Sequence, residues 1–301
     1  MLNYNNKQTP LPVPVVVRAN KEGYDYLARL YQGVSMWGNS TLYIDFGKCK
    51  RFDANLAAAL GAIVDVHKAT KNDVIALGLS SSLRKTLARN GFLKTLDRQA
   101  TEKEKENYVR YTKFSKSALD DFKVFVDEWI IQKSKFPKHT ALAGDKISET
   151  LYELYVNAIT HGDTEFVYIC GEYMEEDSKL SITIVDKGRT IPKNVNDFLY
   201  KGQRSSLSSC KAIEWAFVSG HTTKDTPGGL GLALLQEFIT QNKGSMQMVS
   251  ADGLLEFKEG IVSTLSLTES FPGTIVNLNF NFDDHKNYYM MSERVNLFDL
   301  L

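Results

Sequence analysis

The chain is 301 residues long with a mass of 33.9 kDa, enough for two domains that each bury a core. Its 43% hydrophobic and 24% charged residues are those of a soluble globular protein, and no apolar run approaches the length that crosses a membrane. Formal charge sums to zero, yet residues 1–115 hold 18 Lys and Arg against 10 Asp and Glu, while residues 116–301 hold 18 against 26. Two mutually attractive faces are the plainer reading of that asymmetry. A basic half that meets nucleic acid is the rarer one, because like charges never run beyond a few residues and no arginine-aromatic interleaving stands out. Cys49, Cys170 and Cys210 are odd in number, far apart and never in a C-x-x-C pair, which argues against a disulfide framework or a zinc site and for reduced thiols in a cytoplasmic protein. The opening MLNYNNKQTP lacks the basic start and apolar core of a signal peptide.

In chain order, 12–17 (PVPVVV) is a short β-branched run, and 22–36 follows with Tyr26, Leu27, Leu30, Tyr31 and Val34 at helical spacing. A strand is expected at 41–45 (TLYID), then a helix from Ala54 to about Thr70 with Asp53 as its N-cap. A buried strand at 74–79 (VIALGL) precedes a helix capped by Ser80 or Ser81, running through Leu83, Leu87 and Asn90 and ending at Gly91. Strands alternating with helices in units of about 30 residues predict an α/β domain with a largely parallel sheet.

This order, with an Asp opening the helix after TLYIDF and a second strand-helix pair ending in N-G-F, resembles the STAS domain of anti-sigma-factor antagonists over roughly residues 12–95. In that family a serine beside the Asp accepts phosphate. Here the matching stretch is Asp53-Ala54-Asn55-Leu56, so the resemblance implies a docking or regulatory module that cannot be switched at that position. Asn55 either imitates a permanently polar site or is a plain first-turn helix residue. His67, on the same helix, is expected at the surface.

Residues 98–117 (RQATEKEKENYVRYTKFSKS) are polar and charge-rich and mark a boundary, although YVRYTKF within them can form an edge strand. Leu119, Phe122, Phe125, Val126, Trp129 and Ile130 then recur at helical spacing in a connector helix over about 118–134. Beyond it we expect a helix through 149–162, strands at 164–174 and 179–186, a turn at 186–192, an irregular segment to about 207, helices at 208–219 and 230–242, and three or four strands to 282. That order predicts an α/β sandwich with helices on one face of a mixed sheet. The closing DHKNYYMMSERVNLFDLL reads as an amphipathic tail that packs on the body or on a second subunit.

Three stretches carry chemistry. In ETLYELYVNAITHG, Glu153 and Asn157 lie four apart and share a helix face, where a carboxylate and a carboxamide can hold a divalent ion and an attacking hydroxyl or water at one phosphate. In SITIVDKGRTIP, a strand ends at Asp186 and turns at Gly188, leaving an acid to accept a hydrogen bond from an exocyclic amine. In TPGGLGLALLQEFI, Gly228, Gly229 and Gly231 open a helix where backbone can approach a phosphate. A fourth stretch, PGTIVNLNF, starts a strand at Thr274, whose hydroxyl can join the Asp186 network.

In this order the four stretches resemble the GHKL or Bergerat-fold ATPases: histidine kinases, gyrase-type proteins, Hsp90, MutL and the anti-sigma-factor serine kinases, the last being closest through E-L-Y-V-N-A-I-T-H-G. The resemblance implies ATP and Mg²⁺ as cofactors, with Asn157 on the metal and Glu153 as the catalytic base or as the group that orients the nucleophile. It also implies Asp186 on adenine N6, Gly188 shaping the base pocket, Thr274 supporting it, and Gly229 and Gly231 against the phosphates, with Leu232 in the same cofactor-binding set. Residues 193–227, with Lys201, Arg204, His221, Thr222 and Lys224, become a mobile lid. Thr190, in the same cofactor-binding set, stands where the family has a second glycine, which implies a stiffer pocket floor or an altered nucleotide affinity; His161 is expected only to end its helix.

The implied division is a STAS-like domain at 1–97, a linker and connector helix at 98–136, a Bergerat ATP-binding domain at 137–284 and a tail at 285–301. The implied function is an Mg-ATP-dependent serine/threonine kinase of the anti-sigma type, or a slow ATPase switch, coupled to a docking module. Its partner is a STAS-like protein or a transcription regulator, a homodimer is open, and neither nucleic acid nor membrane is expected. The rivals are a non-kinase ATPase whose lid closure drives dimerisation and a nucleic-acid-associated protein using the basic half.

Overall fold

The strands Phe166–Met174 and Lys179–Asp186 are buried along almost their whole length, so both faces of the sheet they build are covered. The computed structural model describes residues 9–36, 41–69, 72–97, 100, 107–202, 204–223, 231–283 and 286–293. The amino-terminal unit comprises β1 (Leu11–Pro12), β2 (Val16–Val17), α1 (Lys21–Met36), β3 (Leu42–Asp45), β4 (Arg51–Phe52), α2 (Ala57–Ala69), β5 (Val74–Leu77), α3 (Ser81–Arg89) and α4 (Leu93–Leu96). Then come β6 (Tyr108–Ser115), α5 (Leu119–Val126), α6 (Ala141–Thr160), β7 (Phe166–Met174), β8 (Lys179–Asp186), α7 (Ile191–Lys201), α8 (Ser209–Phe217), α9 (Gly231–Gln241), β9 (Ser245–Lys258) and β10 (Ile261–Asn281).

In the amino-terminal unit β1, β3 and β5 form a parallel sheet and β2 pairs with β4, also in parallel. Ser80 caps α3 as expected, its hydroxyl accepting from the Leu83 N–H at 3.3 Å, and Gly91 follows the helix at φ 81°. Asp53 differs: its carboxylate makes no cap and is taken instead by the Ala19 N–H at 3.2 Å and the Arg51 Nε at 2.9 Å. His67, expected at the surface, is buried, because the face of α2 that carries it turns inward.

The large sheet has the order β6-β7-β8-β10-β9, and every pairing in it is antiparallel, where a mixed sheet was expected. The connections explain this: β7 returns to β8 through Glu175–Asp177 with Ser178 at φ 49°, and β9 returns to β10 at Glu259 and Gly260, both with positive φ. The strands expected after the last helix are two long ones. Their turn-prone segments are irregularities in a continuous ladder, at Ala251 and around Gly273, where the register shifts between Ser266, Phe271 and Thr274. YVRYTKF lies in β6 and pairs with β7 at the sheet edge.

One face of the sheet packs against α5, α6 and α9, with Phe122, Tyr155, Phe238 and Phe280 in a single apolar cluster. Tyr155 stacks on Phe122 with ring centroids 4.4 Å apart, and truncating either ring costs roughly 3–5 kcal/mol. The first part of the tail packs on the chain's own body: Tyr288 is buried, its N–H donates to the Lys138 carbonyl at 2.8 Å, and the Met291 N–H donates to Glu237 at 2.6 Å. No helix among the described residues is long and apolar enough to cross a membrane.

The amino-terminal unit covers the opposite face. Leu27, Ala58 and Ile63 share one cluster with Tyr168, Cys170, Val185, Phe271 and Ile275 of the sheet. Polar links fix the register: Asp25 accepts from the Thr268 N–H at 2.6 Å, and Tyr168 donates to Asp65 at 2.6 Å. Burial opposes ionisation of Asp65, but hydrogen bonds from Lys113 and Tyr168 hold its carboxyl below the usual range. Of the two ion pairs at this seam, Lys187–Asp65 joins a base of residues 116–301 to an acid of residues 1–115, against the charge asymmetry of the halves, while Lys113–Asp65 lies within residues 1–115.

A chain lacking residues 1–97 leaves Tyr168, Val185 and Ile275 facing water. Such a fragment is expected to bind a hydrophobic dye or self-associate; a monomeric fragment with unchanged thermal midpoint contradicts a shared core.

Candidate functional site

Helix α6 starts at Thr140, whose hydroxyl accepts from the Ala143 N–H at 3.2 Å, and ends at His161 and Gly162. It carries Glu153 and Asn157 one turn apart, and both line a cavity of about 310 Å³ between α6 and the sheet. The walls are apolar: Leu154 and Ala158 from α6, Ile184, Met248 and Val276 from the sheet, and Val195 from α7.

Asp186, at the end of β8, also lines this cavity and is only 6% exposed. Its Oδ1 accepts from the Gly188 N–H at 2.9 Å, and Thr274, directly opposite it in the β8–β10 ladder, donates through its N–H and its hydroxyl. Burial pushes the carboxyl up to about 7, and the bonds from Gly188 and Thr274 oppose that rise. The turn after Asp186 is possible only with glycine: a Cβ on Gly188 would stand 1.9 Å from the Gly162 carbonyl oxygen. The end of α6 and the turn after β8 thus meet backbone to backbone.

Ser250 of β9 is the support that sequence reasoning missed. Its hydroxyl accepts from the Ile191 N–H at 2.9 Å, donates to the Gly273 carbonyl at 2.7 Å and lies 3.3 Å from the Thr274 hydroxyl. A serine inside a strand carries no local signal of such a role. Residues 191–201, expected to be irregular, are helix α7, and Thr190 is its N-cap, accepting from the Lys193 N–H at 3.3 Å. Thr190 therefore caps a helix and does not line the cavity; the Thr-x-Pro start was the overlooked signal.

Glu153, Asn157, Asp186, Leu232 and Thr274 are brought together around one cavity. Gly188 stands just behind, and Gly231 opens α9 beside Leu232. Lys224, Gly228 and Gly229 lie outside the described residues. Of the expected lid residues, His221 and Thr222 line the cavity, whereas Lys201 and Arg204 are exposed and do not. His161 does more than end its helix: it lines the cavity, and its Nδ1 lies 3.2 Å from the Thr223 hydroxyl. His221 stacks on Trp215 at 4.7 Å, and Arg189, also on the cavity wall, pairs with Asp197.

Residues 143–282 match the family model for histidine kinase-, DNA gyrase B-, and HSP90-like ATPase, a span that opens in α6 and closes just after β10. They form a GHKL-type ATPase domain. No curated protein matches the chain.

The site of this GHKL domain suits the groups the family implies. An apolar slot floored by one buried acid fits a flat base that presents an N–H donor, since such a donor offsets the desolvation of Asp186. No group of three or more metal-ligating side chains occurs among the described residues. A magnesium ion needs none, because it keeps several waters and takes its remaining oxygens from phosphates and one or two protein groups, and the amide oxygen of Asn157 on the cavity wall would be one such group.

A carboxyl whose folded pKa is raised holds its proton more tightly when folded, so its contribution to stability is greatest below the unfolded value and declines as pH rises from about 4 to about 7, by on the order of 4 kcal/mol. In nucleotide-free protein followed by circular dichroism, Asp186→Asn is expected to gain on the wild type in thermal midpoint as pH rises across that window. A wild type that gains on the variant instead contradicts this environment for Asp186.

Proposed function

We propose that the chain is an ATP-binding regulatory protein in which Glu153 directs phosphoryl transfer to a hydroxyl of a protein partner, in the manner of the anti-sigma-factor serine kinases. One arrangement carries this reading: Glu153 and Asn157 from a single helix face share a cavity with Asp186 and Thr274 from two adjacent strands. Asp186 accepts from the base, and Thr274 and Gly188 hold that carboxylate in place. Asn157 offers its amide oxygen to the metal. ATP with Mg²⁺ supplies the transferable phosphoryl group and the neutralising charge. Glu153, on the same face as Asn157, is placed to take the proton of an incoming hydroxyl and to orient it.

The partner brings that hydroxyl. In the amino-terminal unit, which we read as STAS-like, the matching position is Ala54, fully buried against the sheet with its N–H donating to Glu172 at 3.1 Å. A second STAS-like protein or a transcription regulator in the cytoplasm is the partner this reading favours.

ATP labelled in its γ-phosphate, incubated with the wild type and candidate partners, is expected to place label on a protein serine or threonine. Glu153→Ala should keep Mg-ATP binding and lose transfer by about a hundredfold or more. Asn157→Ala should lose the thermal stabilisation that Mg-ATP gives. Free phosphate with no labelled protein replaces the kinase by a slow ATPase, and undiminished stabilisation of Asn157→Ala by Mg-ATP overturns the metal assignment.

A further inference from the structure

The strands that floor the cavity have a second face. Along β8, Ile184 and Asp186 line the cavity while Thr183 and Val185 point the opposite way; along β10, Thr274 and Val276 line it while Ile275 and Asn277 point away. On that opposite face sits Asn55 of the amino-terminal unit, fully buried in the turn that leads into α2. Its Nδ2 donates to the Thr183 hydroxyl at 2.8 Å and to Asn277 Oδ1 at 2.9 Å. Thr183 donates onward to the same Asn277 oxygen at 2.9 Å, and Ser181 does so at 3.2 Å. The network continues from Asn277 to Gln247 and from Gln247 to Tyr24 and Glu256.

Thr183 and Asn277 are direct partners in the ladder that also pairs Asp186 with Thr274. A second hold lies nearby: Asp65 of α2 reaches to 4.0 Å from the Lys187 ammonium, in the turn that carries Asp186 and Gly188. Both connections come from residues distant in sequence from the strands they grip, and both end on the elements that present Asp186 and Thr274.

We infer that Asn55 is a positioning residue for the nucleotide site, acting through Thr183 and Asn277 to set the β8–β10 pair, so that the amino-terminal unit forms the back wall of the ATP pocket. The inference rests on the nucleotide-binding reading above. It deepens that reading by making the covering unit part of the binding machinery, with occupancy of the pocket and seating of the unit coupled in both directions. Buried polar networks of this kind hold one arrangement and penalise others, because each group loses its partners when the strands shift. The side-chain oxygen of Asn55, Oδ1, has no hydrogen-bond partner among the described residues, so the amide nitrogen is the part that serves the link.

The experiment measures binding of a non-hydrolysable ATP analogue with Mg²⁺ by calorimetry on the full chain, at a temperature where circular dichroism shows every variant folded. Asn55→Leu removes the link and Thr183→Val one of its two bonds, each with little change in volume, and both are expected to weaken binding about fivefold or more. Thr183→Ser keeps the hydroxyl and should bind within about twofold of wild type. Asp25→Ala breaks the separate connection to Thr268 of the same seam, and should lower the thermal midpoint while leaving affinity unchanged. Wild-type affinity in Thr183→Val and Asn55→Leu overturns the inference, as does a loss in Asp25→Ala equal to theirs, which would mark general loosening. If both link variants unfold, hydrogen exchange on the wild type decides: the analogue should slow amides of residues 54–64 more than those of 81–89, and equal slowing overturns the inference. A wild type that binds no analogue defeats the nucleotide reading itself, an outcome distinct from all of these.

Discussion

The structure depends on one antiparallel pair of strands, β8 against β10, with different neighbours on its two faces. Because side chains alternate along a strand, the same backbone presents Asp186 and Thr274 to a cavity and Thr183 and Asn277 to the amino-terminal unit. Neither face is solvated. The helices that supply Glu153 and Asn157 cover one, and a second unit with its own parallel strands covers the other.

The cavity owes its character to an unfavourable act, the burial of a carboxylate. Hydrogen bonds from Gly188 and Thr274 are enough to keep Asp186 inside and too few to return it to the ordinary range of an aspartate. Such a group is a poor stabiliser and a selective acceptor, since a ligand donor recovers part of what burial took away. The close approach of Gly162 and Gly188 places this acid beside the end of the helix that carries Glu153 and Asn157. A side chain at Gly188 would force the helix end and the acid-bearing turn apart.

The parts of this arrangement that were legible in the sequence were those with local causes. Glu153 and Asn157 are four apart on a helix, Asp186 ends an alternating strand before a glycine, and Ser80 precedes a helical run; each role follows from neighbours in the chain. The parts that were not legible depend on distant partners. Asn55 meets residues 128 and 222 positions away, and nothing around it in sequence distinguishes that from a solvated first turn. His67 is buried, and nothing beside it in the helix marks that. Ser250 is an unremarked strand residue until the turn at Ile191 folds back onto it. Helix α7 differs, because Thr190 and Pro192 mark its start locally. The three or four strands expected after α9 are two, because Gly253 and Pro272-Gly273 are accommodated within one continuous β9–β10 pairing.

The central claim is that Asp186 recognises an exocyclic amine on a purine. Its most direct measure is a comparison of ATP with inosine triphosphate, which differs at that ring position by carrying a carbonyl in place of the amine, by calorimetry in the presence of Mg²⁺. ATP is expected to bind at least about tenfold more tightly, a difference of about 1.4 kcal/mol, because the analogue sets an acceptor against an acceptor. Equal affinities for the two nucleotides contradict the claim.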